Sequence, residues 1–109
     1  LGYYRETSQT ENAHRIGEQA IAQAVRMGLE GTFPYATTML NVANARRAAG
    51  ELQESLEYYL QVQALYKKLL TPDNIFIAGL ENNMSLLYQE MGEYAKAKQC
   101  QLKALEIVR

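Results

Sequence analysis

The residue types that most often carry chemistry are scarce in this chain of 109 residues. The single histidine, His14, has Glu11 and Glu18 about one helical turn away on either side, a spacing that could hold a metal ion, but a solvated helix face is the favoured interpretation. The single cysteine, Cys100, has no second histidine to activate it and is interpreted as a small packing residue. The sequence has no glycine-rich phosphate loop, no His-Glu-x-x-His and no Gly-x-Ser-x-Gly motif. We therefore predict no catalytic residues, no metal site and no cofactor, and we expect that this segment is not an enzyme.

The composition fits one domain with a modest core and argues against several classes of protein. Lys and Arg number 11 against 12 Asp and Glu, whereas a nucleic-acid-binding protein normally carries a clustered basic excess. One cysteine excludes an intrachain disulfide and a multi-thiolate zinc site. No uncharged apolar window is long enough to span a membrane. Because the chain begins without Met and without a signal-peptide pattern, we interpret it as part of a larger protein and expect a cytoplasmic location.

Apolar residues recur at helical spacing along most of the sequence, so helices must position any functional residue. From Leu52 to Leu70 the apolar residues recur at helical spacing with polar residues in the gaps, which predicts an amphipathic helix. Further helices are predicted near 10–28, 34–49, 74–91 and 94–108. The segments are separated by Gly31, Gly50, Pro72 and Gly92, since proline cannot continue a helix and glycine readily adopts the left-handed conformation just past a helix end. No long alternation of apolar and polar residues requires a strand, so the predicted fold class is all-α.

The sequence also repeats itself at the spacing that separates Gly50 from Gly92, which we call the repeat offset. Further identities at this offset are Ala36 with Ala78, Asn41 with Asn83 and Leu60 with Leu102. We interpret the chain as one domain of about two and a half helix–turn–helix units: a partial repeat at 1–31, a second at 32–74 and a third at 75–109. The alternative is that two ordinary helical hairpins agree by chance.

Residues 86–97 (LLYQEMGEYAKA) resemble the core of a tetratricopeptide repeat, in which an aromatic residue is followed by a Gly-x-Tyr turn and then by a small Ala. The usual period of that family is about 34 residues, and the longer register here resembles the kinesin light chain type of repeat. The resemblance implies a right-handed α-α superhelix of stacked antiparallel helix pairs. The second repeat departs from the family pattern at Arg46, where an aromatic residue is usual, and at Ser55, where Ala is usual.

The resemblance further implies a ligand groove lined by the first helix of each pair. The predicted binding residues, which share faces of these helices, are Asn41, Asn44, Arg47, Asn82, Asn83, Leu86 and Gln89, together with Arg5 as the equivalent of Arg47 in the partial repeat. Asn41 and Asn83 stand at the family's groove-asparagine position, which implies that their amides grip a ligand backbone, and Arg5 and Arg47 could select a carboxylate by a bidentate contact. The alternative is that the asparagines hold the repeats in register and that Arg47 is a solvated charge.

Three functional hypotheses follow. The first is a protein–protein interaction scaffold that binds an extended peptide or a partner helix, with no nucleic acid or membrane partner. The second is a peptide-sensing or regulatory segment of a larger multidomain bacterial protein, either a transcription regulator or an enzyme. The third is a self-assembling scaffold, in which the partial first repeat and the apolar last helix stack on further copies as a homo-oligomer.

Overall fold

The computed structural model describes the backbone of residues 2–108 and the side chains of residues 14–108. It contains five α-helices: α1 (Gly2–Arg26), α2 (Phe33–Ala48), α3 (Leu52–Leu69), α4 (Ile75–Glu90) and α5 (Tyr94–Val108). No strand occurs within 2–108, so the all-α prediction is confirmed. None of the described helices is long and apolar enough to cross a membrane.

Local signals explain where the helices begin and end. The side chains of Thr32 and Asn74 cap α2 and α4 by accepting hydrogen bonds from the backbone N–H groups of Tyr35 and Phe76, at 3.4 and 2.9 Å. The α2–α3 and α4–α5 turns have the same backbone hydrogen bonds at positions related by the repeat offset. Glu51 N–H donates to the Arg46 carbonyl at 2.9 Å, and Glu93 N–H donates to the Tyr88 carbonyl at 2.8 Å. Both turns contain a glycine with positive φ, 82° at Gly50 and 81° at Gly92.

Helix α1 differs from the prediction because it begins at Gly2 rather than near residue 10, and it ends at Arg26. The position one repeat offset before Gly50 is Ser8, which has no preference for the left-handed conformation that ends α2, so the helix continues through it. The first unit is therefore one long helix over residues 2–26, without a separate helix before it in the described chain.

The helices pack in chain order, each pair of neighbours in sequence being neighbours in space. The most extensive packing lies within the pairs α2–α3 and α4–α5, and α4 then packs on α3. The core between the pairs holds large side chains that are almost fully buried: Met39, Tyr59, Leu80, Met84 and Leu87. Buried alanines such as Ala43 and Ala97 allow close approach of the helix backbones. Stacked antiparallel pairs of this kind form the helical repeat solenoid that the sequence predicts.

Arg46 and Ser55, which depart from the family pattern, both have polar partners in the structure. The hydroxyl of Ser55, which is fully buried, donates to the Ala43 carbonyl at 2.7 Å. Arg46 is 8% exposed, and its guanidinium contacts carboxylates of Glu18 at 2.8 Å, Glu51 at 3.1 Å and Glu54 at 2.7 Å. Desolvation lowers the pKa of Arg46, but its hydrogen bond to Glu51 and the neighbouring negative charges raise that pKa to above its ordinary value. Arg46 thus joins α1 to the α2–α3 pair as a buried cation.

His14 belongs to the same junction, so the interpretation of a solvated helix face was wrong. Its side chain is 16% exposed, and Nε2 lies 3.0 Å from Oε2 of Glu51 on the neighbouring pair, although the two atoms are not aligned as a hydrogen bond. The reason is that α1 presents this residue toward the α2–α3 turn. No group of metal-ligating side chains occurs among the described residues.

Candidate peptide-binding face

The first helices of the two complete pairs, α2 and α4, carry seven of the eight predicted binding residues. Asn41, Asn82 and Gln89 are exposed, Asn83 is half-buried, and Leu86 is 39% exposed although it is apolar. We call these five residues the groove face. The amides of the three asparagines make no hydrogen bond with any described residue.

Asn44 and Arg47 lie on the same helix as Asn41, but they take part in a chain of internal hydrogen bonds. The hydroxyl of Tyr59 on α3, which is fully buried, donates to Oδ1 of Asn44, and Nε of Arg47 donates to that hydroxyl at 3.3 Å. Nη1 of Arg47 also pairs with Oε1 of Glu90 at 3.3 Å, which joins α2 to α4. Asn44 and Arg47 therefore hold the helices together, in addition to any role toward a ligand.

The charge of Arg47 is stabilised by this network. The hydrogen bond to Tyr59 and the pairing with Glu90 raise the pKa of Arg47 above its ordinary value, against the opposing effect of desolvation. Tyr59 is not among the residues that the sequence predicted for this face. Its position on the apolar stripe of α3 was the available signal, because a buried tyrosine hydroxyl usually needs a hydrogen-bond partner.

Two of the asparagines line cavities at different places. Asn41 borders a cavity of about 440 Å³ between α1 and α2, together with Ile16, Gly17 and Ala20. Helix α1 approaches α2 closely there, since a Cβ added at Gly17 would lie 2.9 Å from a methyl carbon of Val42. Asn82 borders a second cavity, of about 530 Å³, between α4 and α5. The groove face thus extends between two concave surfaces.

Arg5 completes the predicted set, but its side chain lies outside the described residues. Its backbone is part of α1, which is continuous from Gly2 to Arg26.

A comparison with protein families assigns this architecture. The family model described as Tetratricopeptide repeat matches residues 34–109, which comprise α3 to α5 and all of α2 except Phe33. The resemblance to a tetratricopeptide repeat is therefore confirmed over the two complete helix pairs, whereas the kinesin light chain type of repeat stays a prediction. No curated protein matches the chain.

Proposed function

Because the chain belongs to the tetratricopeptide repeat family, we propose that it is an interaction module that binds an extended peptide or a partner helix on the groove face. Domains of this family generally mediate protein–protein interactions. The groove face is the surface of α2 and α4 on which such a ligand would meet free amides beside an exposed leucine.

The observation that carries the proposal is that the amides of Asn41, Asn82 and Asn83 make no hydrogen bond with another described residue. A side-chain amide offers a donor and an acceptor, which match the C=O and N–H of a peptide backbone whatever its sequence. Leu86 adds an apolar surface of the kind that fills one side-chain pocket of an interface. Because Asn41 and Asn82 are exposed, water is the present partner of their amides, and a peptide backbone could replace that water.

The Arg47–Glu90 pair supplies a second, selective element in this proposal. The pair is partly exposed, with 24% of the Arg47 side chain and 44% of the Glu90 side chain accessible. A ligand carboxylate that reaches Arg47 would replace Glu90 as its partner, so that binding exchanges one ion pair for another. Such exchange contributes selectivity more than affinity, because exposed ion pairs are individually weak.

The test begins with peptides selected from a random-peptide display library on the wild-type domain. Calorimetry then measures their affinity for Asn82→Ala/Asn83→Ala and for the control Gln99→Ala, which removes an exposed amide on α5. We expect the double variant to lose about 1–3 kcal/mol of binding free energy at an unchanged melting temperature, because ligand groups are left without partners. Equal affinities in the three proteins, or a parallel loss of stability and binding, would contradict the proposal.

Self-assembly is a second candidate because large apolar side chains of the α4–α5 pair are exposed. Ile75, Leu105 and Val108 are 69%, 56% and 57% exposed around the cavity that Asn82 borders. The residues one repeat offset before Ile75 and Val108 are Phe33 and Tyr66, of which Phe33 contacts α4 and Tyr66 is buried. Sedimentation equilibrium tests this candidate: association that Leu105→Glu abolishes supports it, and a monomer at all concentrations excludes it.

A further inference from the structure

A cavity of about 450 Å³ lies on the other side of α4 from the groove face. It is bounded by α3 on one side and α5 on the other, with α4 as its floor. The residues that matter for the argument are Leu60, Gln63, Lys67, Leu80, Glu81 and Lys103. Nothing in the proposed peptide-binding function uses these residues.

The floor of the cavity contains a buried carboxylate that is only half satisfied. Glu81 is 3% exposed, and its Oε1 accepts a hydrogen bond from Nε2 of Gln63 at 3.0 Å. Its Oε2 is buried and accepts no hydrogen bond from a nitrogen or hydroxyl donor of the described residues, and no lysine or arginine among them forms an ion pair with it. An unpaired buried charge is unfavourable, so this oxygen is expected to receive a donor from outside.

The neighbouring thiol of Cys100 does not replace such a donor. Burial raises the pKa of Cys100 to about 11, and a side-chain hydrogen bond to Glu81, together with the negative charge of that carboxylate, adds to this rise. A thiol is a weak hydrogen-bond donor, and it carries no positive charge to neutralise the carboxylate.

The internal repeat shows whether the fold itself requires the polar residues of this cavity. The residue one repeat offset before Glu81 is Met39, which is 2% exposed and belongs to the apolar core. At the same offset Gln63, Lys67 and Lys103 are replaced by Ile21, Val25 and Gln61. The corresponding groove over α2 thus has no buried carboxylate and neither of the two lysines, so these polar residues are special to the groove over α4 and are not a requirement of the fold.

From this arrangement we infer that the groove over α4 binds a small zwitterion with an apolar side chain, of the class of the apolar α-amino acids. The ammonium group would pair with Glu81 at the floor, and the carboxylate would lie toward the exposed Lys67 and Lys103 at the rim. The apolar side chain would contact Leu60 and Leu80. A ligand with only a cation would leave the two lysines opposed to it, and one with only an anion would leave Glu81 unpaired.

The direct test is an NMR titration of the protein with L-leucine, observed through the methyl groups of Leu60 and Leu80. We expect saturable shifts with a Kd on the order of 1 mM, as suits so small a ligand. N-acetyl-L-leucine lacks the ammonium group and L-leucinamide lacks the carboxylate, and each is expected to bind at least tenfold more weakly. L-Leucinamide binding as tightly as L-leucine would overturn the zwitterion assignment, and no saturable shift with L-leucine would overturn the site.

Variants separate the role of Glu81 from folding. Glu81→Gln and Glu81→Met, the second of which copies Met39, are expected to stay folded and to lose L-leucine binding at least tenfold. The control Glu106→Gln removes an exposed carboxylate on α5 and should bind as the wild type does. Unchanged binding in both Glu81 variants would overturn the proposal. So would a marked fall in melting temperature in Lys103→Met without any L-leucine binding by the wild type, since Lys103 would then be the internal partner of Glu81.

Discussion

At the scale of single residues, the most informative contrast is between polar side chains that find a partner inside the helix pairs and those that do not. Ser55 donates to the Ala43 carbonyl, whereas the hydroxyl of Ser85 is buried without a partner. Each is replaced by alanine at the repeat offset, Ser55 by Ala97 and Ser85 by Ala43. The repeat itself therefore shows that alanine fits both positions.

Alanine substitution should accordingly affect the free energy of unfolding differently at the two serines. Ser55→Ala removes a buried hydrogen bond and should lower the free energy of unfolding by about 1 kcal/mol. Ser85→Ala removes an unsatisfied hydroxyl and should leave that free energy unchanged or raise it by up to about 1 kcal/mol. Urea unfolding of the two variants beside the wild type measures both, and a larger loss for Ser85→Ala would show that its hydroxyl has a partner.

Cys100 gives the protein a predicted pH dependence in the alkaline range. The thiol pKa is raised from 9.0 to about 11 in the folded protein, first by desolvation and then by Glu81. Its contribution to stability is complete below pH 9 and is lost as the pH rises to about 11, because only the unfolded chain ionises the thiol readily. Thermal melts from pH 8 to 11 should show a steeper fall for the wild type than for Cys100→Ala. Identical slopes would mean that the thiol ionises as easily in the folded state.

At the scale of elements, glycines serve two different purposes. Gly50 ends α2 at a φ of 82°, where a side chain is strained, whereas Gly79 lies within α4 with open space where a Cβ would be. Gly50→Ala should therefore lower the free energy of unfolding by about 1 kcal/mol. Gly79→Ala should raise it by about 0.5–1 kcal/mol through better helix propensity. Denaturation curves measure the change in the free energy of unfolding for both variants. Stabilisation by Gly50→Ala would contradict the assigned turn conformation.

The helices and their family could be predicted from the sequence because they depend on local signals. Apolar periodicity, the glycine turns and Pro72 place α2 to α5 close to their observed bounds. Helix α1 was predicted too short, since the sequence-based boundary did not account for a helix that runs through Ser8 without a breaking residue. The partners of His14, Arg46 and Glu81 were not predictable in this way, because they come from other helices and depend on the packing angles between them.

At the scale of the whole molecule, the two complete helix pairs share one architecture but differ in their polar side chains. The repeat offset aligns Asn41 with Asn83, both carried by the first helices, whereas it replaces Met39 by Glu81 on the opposite side. Side chains that both pairs share, such as the two asparagines, suit recognition of a peptide backbone that runs across several repeats. A side chain that occurs in one pair only, such as Glu81, suits a separate ligand. We therefore propose a peptide as the ligand of the groove face and a small zwitterion as the ligand of the groove over α4.

NMR cross-saturation is the sharpest test of peptide recognition by the groove face. A display-selected peptide is irradiated in complex with the perdeuterated domain, and the domain's amide groups report which residues lie against it. We expect saturation transfer along α2 and α4, strongest around Asn83, Leu86 and Gln89, with little at Leu60 or Lys103. Transfer concentrated on α3 and α5 instead, with α2 and α4 unaffected, would contradict it.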